Sequence, residues 1–158
     1  MYDMNFRYRA LTADDLAGIT AVHWRACKIA YAFMNWSYSE AEVHEWYEGR
    51  FPEWDWGLVA EDGAGVVGLV AKMGTHVDQL FVDPDYQHRG IGNALMTSAL
   101  QRVPTATLYV FEQNIPARRF YGRYGFREVD RFFNATEKAV ELVYRRDPPI
   151  APGIKSGS

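Results

Sequence analysis

Between Trp56 and Val82 the chain carries three strand-like runs in succession, Trp56 to Ala60, Val66 to Met73 and His76 to Val82, joined only by Asp62-Gly63 and Gly74-Thr75. Turns this short allow only antiparallel neighbours, because a parallel return needs a connection of about a dozen residues or more. The third run ends at Asp83-Pro84. A glycine-bearing loop from Asp85 to Gly92 then leads into a helical pattern of Ile91, Ala94, Leu95, Ser98 and Ala99, which Pro104 stops. The next β-rich run, Thr107 to Phe111, is therefore reached by a crossover, and one sheet has to contain both hairpins and crossover units.

The flanking segments extend this layout. Phe6 to Ala10 alternates weakly and reads as an edge strand. Thr12 and Asp15 stand at capping-box spacing before a stripe of Leu16, Ile19, Val22, Ala26, Ile29 and Phe33, which predicts a helix of roughly five turns. Ser39 and Glu42 repeat the capping signal ahead of Val43, Trp46, Tyr47 and Phe51, and Pro52 ends that second helix. Pro116 suits the first turn of a fourth helix running through Tyr124, with Gly125 as its C-cap. Runs from Arg127 to Phe133 and Ala139 to Arg145 complete the order strand, two helices, three strands, helix, strand, helix, two strands. The expected fold is α/β, a mixed and mostly antiparallel sheet of about seven strands flanked by about four helices. Residues 1–146 read as a single domain, and 147–158, rich in Pro, Gly and Ser, as a disordered tail.

At 158 residues with 48% apolar content, the chain can bury a core without disulfides or a structural metal. Cys27 is the sole cysteine, which excludes a disulfide scaffold and most zinc modules, and no metal site is expected from the scattered histidines. Neither a signal peptide nor a spanning helix is readable, so the cytoplasm is the expected compartment and no membrane partner is expected. The sequon Asn134-Ala135-Thr136 would matter only in a secreted chain. Net charge is -3, divided unevenly: residues 1–79 hold 12 acids against 6 bases, and residues 80–158 hold 8 against 11. That division suits a cation on the first half and a polyanion on the second, and it is not basic enough for duplex nucleic acid. Exposed aromatics would allow a homodimer without requiring one.

The loop Gln87-His88-Arg89-Gly90-Ile91-Gly92 lies between a strand and a helix. Glycines there let backbone N–H groups approach a ligand, and the helix N-terminus adds partial positive charge, so the loop is suited to phosphate. No Lys-Ser or Lys-Thr follows Gly92, and position 95 is Leu, which removes the nucleoside triphosphate and dinucleotide fingerprints. A second segment starts 22 residues after Gly92: Asn114-Ile115-Pro116-Ala117-Arg118-Arg119-Phe120-Tyr121, closing with Gly125-Phe126.

Together these two segments resemble the GCN5-related N-acetyltransferases, whose signatures are a Q/R-x-x-G-x-G/A loop after the fourth strand and an N-x-x-A-x-x-x-Y-x-x-x-G-F segment after the fifth. The resemblance implies that acetyl-CoA is the co-substrate. It implies that Leu80, Phe81 and Val82 offer backbone groups to the pantetheine and the thioester carbonyl, and that Gln87, His88, Arg89, Gly90, Ile91 and Gly92 wrap the pyrophosphate. Asn114 would lie along the pantetheine, Ala117 would leave room for it, and Tyr121 would protonate the departing thiolate, with Tyr124 in reserve. Phenol chemistry independently allows that last role. Family members often carry a Glu eleven positions before the first loop residue; here that position is His76, a departure. A neutral imidazole can serve as base, and Asp78, two residues on, is either its orienting partner or the base itself.

All five tryptophans (Trp24, Trp36, Trp46, Trp54 and Trp56) precede residue 57, and eight acids against one base, Arg50, fall between Ser39 and Asp62. Aromatic faces with carboxylates suit an ammonium group, so the expected acceptor is a small cationic amine. Transfer to protein N-termini or lysines is the alternative within the fold, and a catalytically silent coenzyme A binding module is the alternative outside it.

Overall fold

The computed structural model describes residues 5–149 and contains every element in the expected order. Strand β1 (Arg7–Ala10) leads through a 3-10 turn to helix α1 (Leu16–Ala30), followed by α2 (Glu40–Arg50), β2 (Trp56–Asp62), β3 (Gly65–Met73) and β4 (His76–Val82). Helix α3 (Ile91–Arg102), β5 (Ala106–Phe111), α4 (Ile115–Gly122), β6 (Arg127–Asn134) and β7 (Ala139–Arg146) complete the chain. The seven strands lie in the order β1-β2-β3-β4-β5-β7-β6, all antiparallel except β4 beside β5. Both capping boxes form, at Thr12 with Asp15 and at Ser39 with Glu42.

Each sheet face carries its own core. On one, α1 and α2 contribute Ile19, Val22, Val43 and Tyr47 against Val59 and Leu69. On the other, Ile91, Leu95, Met96 and Ala99 of α3 pack on Val70, Val77, Leu108 and Leu142. Gly68 lets α3 sit directly on β3: a Cβ there would stand 3.0 Å from Ile91 Cγ2 and 3.2 Å from Leu95 Cδ1. That close approach fixes where the helix begins, and with it the loop that precedes it. No helix among the described residues is long and apolar enough to cross a membrane.

Several boundaries differ from the sequence reading. Helix α1 stops at Ala30, so Phe33 falls beyond it, and Ile29 is 68% exposed because the inward stripe ends at Ala26 and Cys27. Trp46 faces outward from α2, leaving Val43 and Tyr47 as its buried pair. The first hairpin turns at Gly63 and Ala64, since the Asp62 carboxylate accepts from the N–H groups of Ala64 and Gly65 and holds Asp62 as the last strand residue. Helix α4 ends at Gly122, and Gly125 supplies the positive φ two residues past its C-cap. Of the expected tail, residues 150–158 lie outside the described residues, whereas Asp147 pairs with Arg127 and Arg145.

Candidate active site

The sheet parts between its two parallel strands. Among the described residues β4 and β5 share one registered pair, His76 with Thr107, and a bond from Thr107 N–H to the Thr75 carbonyl (3.0 Å). Beyond it β4 stays paired with β3, Val70 to Leu80, Leu69 to Phe81 and Gly68 to Val82. The opposite backbone edge of Leu80, Phe81 and Val82 therefore faces an opening that leads from one face of the sheet to the other. Such a slot can take an extended polar chain by strand-like hydrogen bonding.

Gln87 to Gly92 closes the α3 side of this slot. The Gln87 amide donates to the Val82 carbonyl (3.4 Å), and His88 (φ 66°) and Gly90 (φ 84°) take left-handed backbone conformations that turn the chain into α3. Gly90 is the N-cap, no side chain caps the helix, and its first turn holds no acid. A twelve-residue helix thus presents its positive end and open N–H groups to the loop. A Cβ at Gly92 would touch the Phe120 ring at 3.5 Å and Val82 at 3.8 Å, so the bare backbone leaves a cradle there. These features fit a pyrophosphate. His88 and Arg89 are exposed, and the Arg89 guanidinium lies over the Tyr86 ring at 5.2 Å.

Helix α4 forms the other wall. Asn114 is its N-cap, accepting from Ala117 N–H at 3.4 Å, and Pro116 occupies its first turn. Ala117, Phe120 and Tyr121 pack against the α3-side core. Burial pushes the Tyr121 phenol up to about 12, so it remains a proton donor through the neutral range. The Tyr124 hydroxyl donates to Asn93 Oδ1 of α3, which ties that helix to the turn after α4.

His76 and Asp78 meet different partners from the one the sequence offered. His76 Nδ1 lies 2.9 Å from Thr107 Oγ1, and its ring stands 4.5 Å from that of Tyr109. Burial lowers the imidazole below its ordinary value; the Asp78 charge opposes this and the Arg50 charge adds to it. Asp78 has no opposite residue in β3, because Lys72 pairs with Val77 and Ala71 with Gln79; this bulge turns its side chain toward α2. There Arg50 Nε (2.8 Å) and Nη2 (2.7 Å) and Trp54 Nε1 (2.8 Å) donate to its two oxygens. Burial alone would raise the Asp78 carboxyl, but the bonds from Arg50 and Trp54 outweigh it and hold the group below the usual carboxylate range. Asp78 is thus oriented by Arg50 and Trp54, while Thr107 holds the imidazole.

The α1 side of the slot is aromatic. Tyr109, 52% exposed, stands 5.3 Å from Phe132, and Tyr31 lies edge-on to Phe111 at 5.1 Å. A groove of about 560 Å³ continues from there between residues 33–38, Glu112, Gln113 and the β6–β7 hairpin. The Tyr38 hydroxyl donates to Glu137 (2.6 Å), strapping the segment after α1 to that hairpin. Sequence reading missed Tyr31, Glu141 and the Arg50–Trp54 clamp. Only Arg50 had a visible signal, as the single base in an acid-rich segment. The acids of α2 that had suggested cation binding are exposed, and Trp56 packs on the opposite face under Arg102.

Comparison with known proteins bears on this arrangement. The sequence model of the Acetyltransferase (GNAT) domain matches residues 35–137. The peptidyl-lysine N-acetyltransferase YjaB of Salmonella typhimurium is 34% identical over 113 residues, covering 72% of this chain and 77% of the relative. The solution structure of apo YjaB from Escherichia coli superposes with a TM-score of 0.76 at 26% identity, over 92% of this chain and all (100%) of that one. The structure of yncA from Salmonella typhimurium, solved with its cofactor acetyl-CoA, has the same fold at a TM-score of 0.67 and 17% identity, over 96% of this chain and 99% of that one.

Proposed function

The chain belongs to the GNAT acetyltransferase family and is an acyltransferase that uses acetyl-CoA, and from that premise we propose that it acetylates a primary amine borne on a cationic chain, a peptide lysine above all. The observation that carries this reading is the parted sheet. Donor and acceptor can approach from opposite faces and meet where β4 and β5 separate, as direct transfer in a ternary complex requires.

Acetyl-CoA supplies the activated acyl group. The uncapped N-terminus of α3 and the Gln87–Gly92 loop bind the pyrophosphate, the free edge of Leu80 to Val82 binds the pantetheine, and a β4 N–H stabilises charge developing on the carbonyl oxygen. His76, neutral at physiological pH, takes the amine proton directly or through water, and Thr107 fixes its ring. Tyr121 gives its proton to the departing sulfur. Asp78 sets the local charge and holds the β4 bulge against α2.

The name of the YjaB relative supports a lysine acceptor, and a partly aromatic surface groove lined by Glu112, Glu137 and Lys138 has room for such a chain. A specific feature favours a second reading, the small cationic amine. The Tyr38–Glu137 bond bridges the groove and would restrict a long peptide while it is closed. A panel containing a lysine peptide, spermidine, a free amino acid and a peptide with only its N-terminal amine, assayed by coenzyme A release, separates the two. Preference for the lysine peptide supports the first reading, and preference for spermidine the second. Turnover of none of them, by a folded protein that binds acetyl-CoA, would refute the amine acceptor.

A further inference from the structure

Asp78 and Glu141 rise on the α1 side of the sheet, with Glu137 at the nearby β6–β7 turn. Asp78 is held by Arg50, and Glu137 accepts from the Tyr38 hydroxyl. Glu141 is the third residue of β7. Its register places it opposite Phe111 of β5 on one side and Phe132 of β6 on the other. Paired residues share a face, so the carboxylate rises between two aromatic side chains on the side of the sheet where Tyr31 covers Phe111. Its hydrogen-bond partner is the Asn134 side-chain amide, at 3.1 Å. It is half-buried, and among the described residues no Lys or Arg pairs with it.

We propose that Glu141 selects a positively charged acceptor, holding the ammonium beside the exposed ring of Phe132 at the mouth of the slot. The assignment rests on the amine-acceptor reading above and names the residue that enforces it. A half-buried carboxylate without a cation forgoes solvation, and an arriving ammonium restores a counter-charge while its C–H groups lie on aromatic faces. Burial raises the Glu141 carboxyl and the Glu137 charge adds to this, against the Asn134 bond. Burial raises the Tyr31 phenol, and nearby negative groups, Glu141 and Glu137 among them, add to this. Because the ionised form does the holding, cation affinity weakens as pH falls through the raised value.

Glu141→Gln removes the charge while keeping shape and a partner for Asn134, and Glu141→Asp keeps the charge with shorter reach. The first measurement is a calorimetric titration with butyltrimethylammonium, a cation that cannot be acetylated. Loss of the counter-charge weakens its binding about ten- to a hundredfold in Glu141→Gln, with partial recovery in Glu141→Asp. The second compares KM for a lysine peptide with KM for hydroxylamine, which is largely uncharged at neutral pH. The peptide KM rises over the same range, while those for hydroxylamine and acetyl-CoA stay within about twofold. Equal losses on both acceptors, unchanged values on both, or no binding of the quaternary cation by the wild-type protein would overturn the assignment. If the wild type acetylated no amine yet bound that cation in a Glu141-dependent way, acetyl transfer to amines would fall and the role of Glu141 would stand.

Discussion

Asp78→Asn separates a structural clamp from a catalytic base. The substitution keeps the shape of the side chain but leaves one acceptor oxygen where the carboxylate accepts three bonds of 2.7 to 2.8 Å, and its new NH₂ faces the donors of Arg50 or Trp54. The Asp78 side chain is 6% exposed, so water cannot replace what is lost there, whereas Arg50 is 29% exposed and can be partly resolvated. Charge-assisted bonds contribute about 1.5 to 3 kcal/mol each in net terms, and that partial resolvation sets a net loss of about 2 to 3 kcal/mol. For a domain of this size the loss lowers Tm by about 5 to 10 °C, read by circular dichroism. The folded pKa of Asp78 is depressed, so its contribution is complete above the ordinary carboxylate range and drains away as pH falls through the lower folded value. The difference in Tm between the two proteins is therefore constant between pH 6 and 8. Removal of the Asp78 charge also withdraws the influence that holds the His76 pKa up, so the acidic limb of kcat/KM moves to lower pH. A variant whose Tm stays within about 1 °C of wild type while kcat falls by about a thousandfold would refute the clamp and make Asp78 the base.

Three further outcomes follow from the same geometry. Gly92→Ala places a methyl at ordinary contact distance from Phe120, so stability is unchanged or higher while the Kd for acetyl-CoA rises; an unchanged Kd means the phosphates lie elsewhere. His76→Gln removes the acidic limb of the kcat/KM profile, which in wild type falls below the ordinary histidine range, and a profile that keeps this limb eliminates His76 as base. Tyr121→Phe lowers kcat by about 10²-fold with little change in the KM for acetyl-CoA, and an unaltered kcat transfers the acid role to water.

The elements and the position of the Gln87–Gly92 loop were legible because both are local. The turn at Gly74-Thr75, the two capping boxes and the stop at Pro104 act within a few residues, and the Gln87–Gly92 loop forms where strand pattern gives way to helix pattern. The acceptor side was not legible in the same way. Nothing in the sequence near Asp78 marks the bulge, which arises when Val77 and Gln79 both keep their β3 partners and the extra residue is pushed toward α2. Arg50 lies 28 residues from Asp78 along the chain, and Glu141 meets Phe111 only once β7 is inserted between β5 and β6. The tryptophans misled for a related reason. Spacing alone cannot tell Trp54, which donates to Asp78, from Trp56, two residues later on the opposite face.

The parting of β4 and β5 joins the two sides of the candidate site. A strand pair that kept its register to the end would use the edge of Leu80 to Val82 for internal hydrogen bonds and seal the faces from one another. Both strand ends alternate between the two cores: Phe81 packs on the α1–α2 side, and Leu80 and Val82 pack with Val110 on the α3 side, so β4 stays anchored where its pairing with β5 ends. The bulge at Asp78 adds twist at the point where pairing stops, and Arg50 and Trp54 fasten that point to α2. On the proposed assignment of Leu80 to Val82 to the pantetheine, the clamp acts on acetyl-CoA as well as on stability, because releasing it loosens β4 beside that edge. Arg50→Met consequently raises the KM for acetyl-CoA although Arg50 lies on the acceptor side, and Arg50→Met combined with Asp78→Asn costs little more than either alone, because both remove the same contact. Full additivity of the two, with an unchanged KM, would show that the opening is held by the α3 side alone.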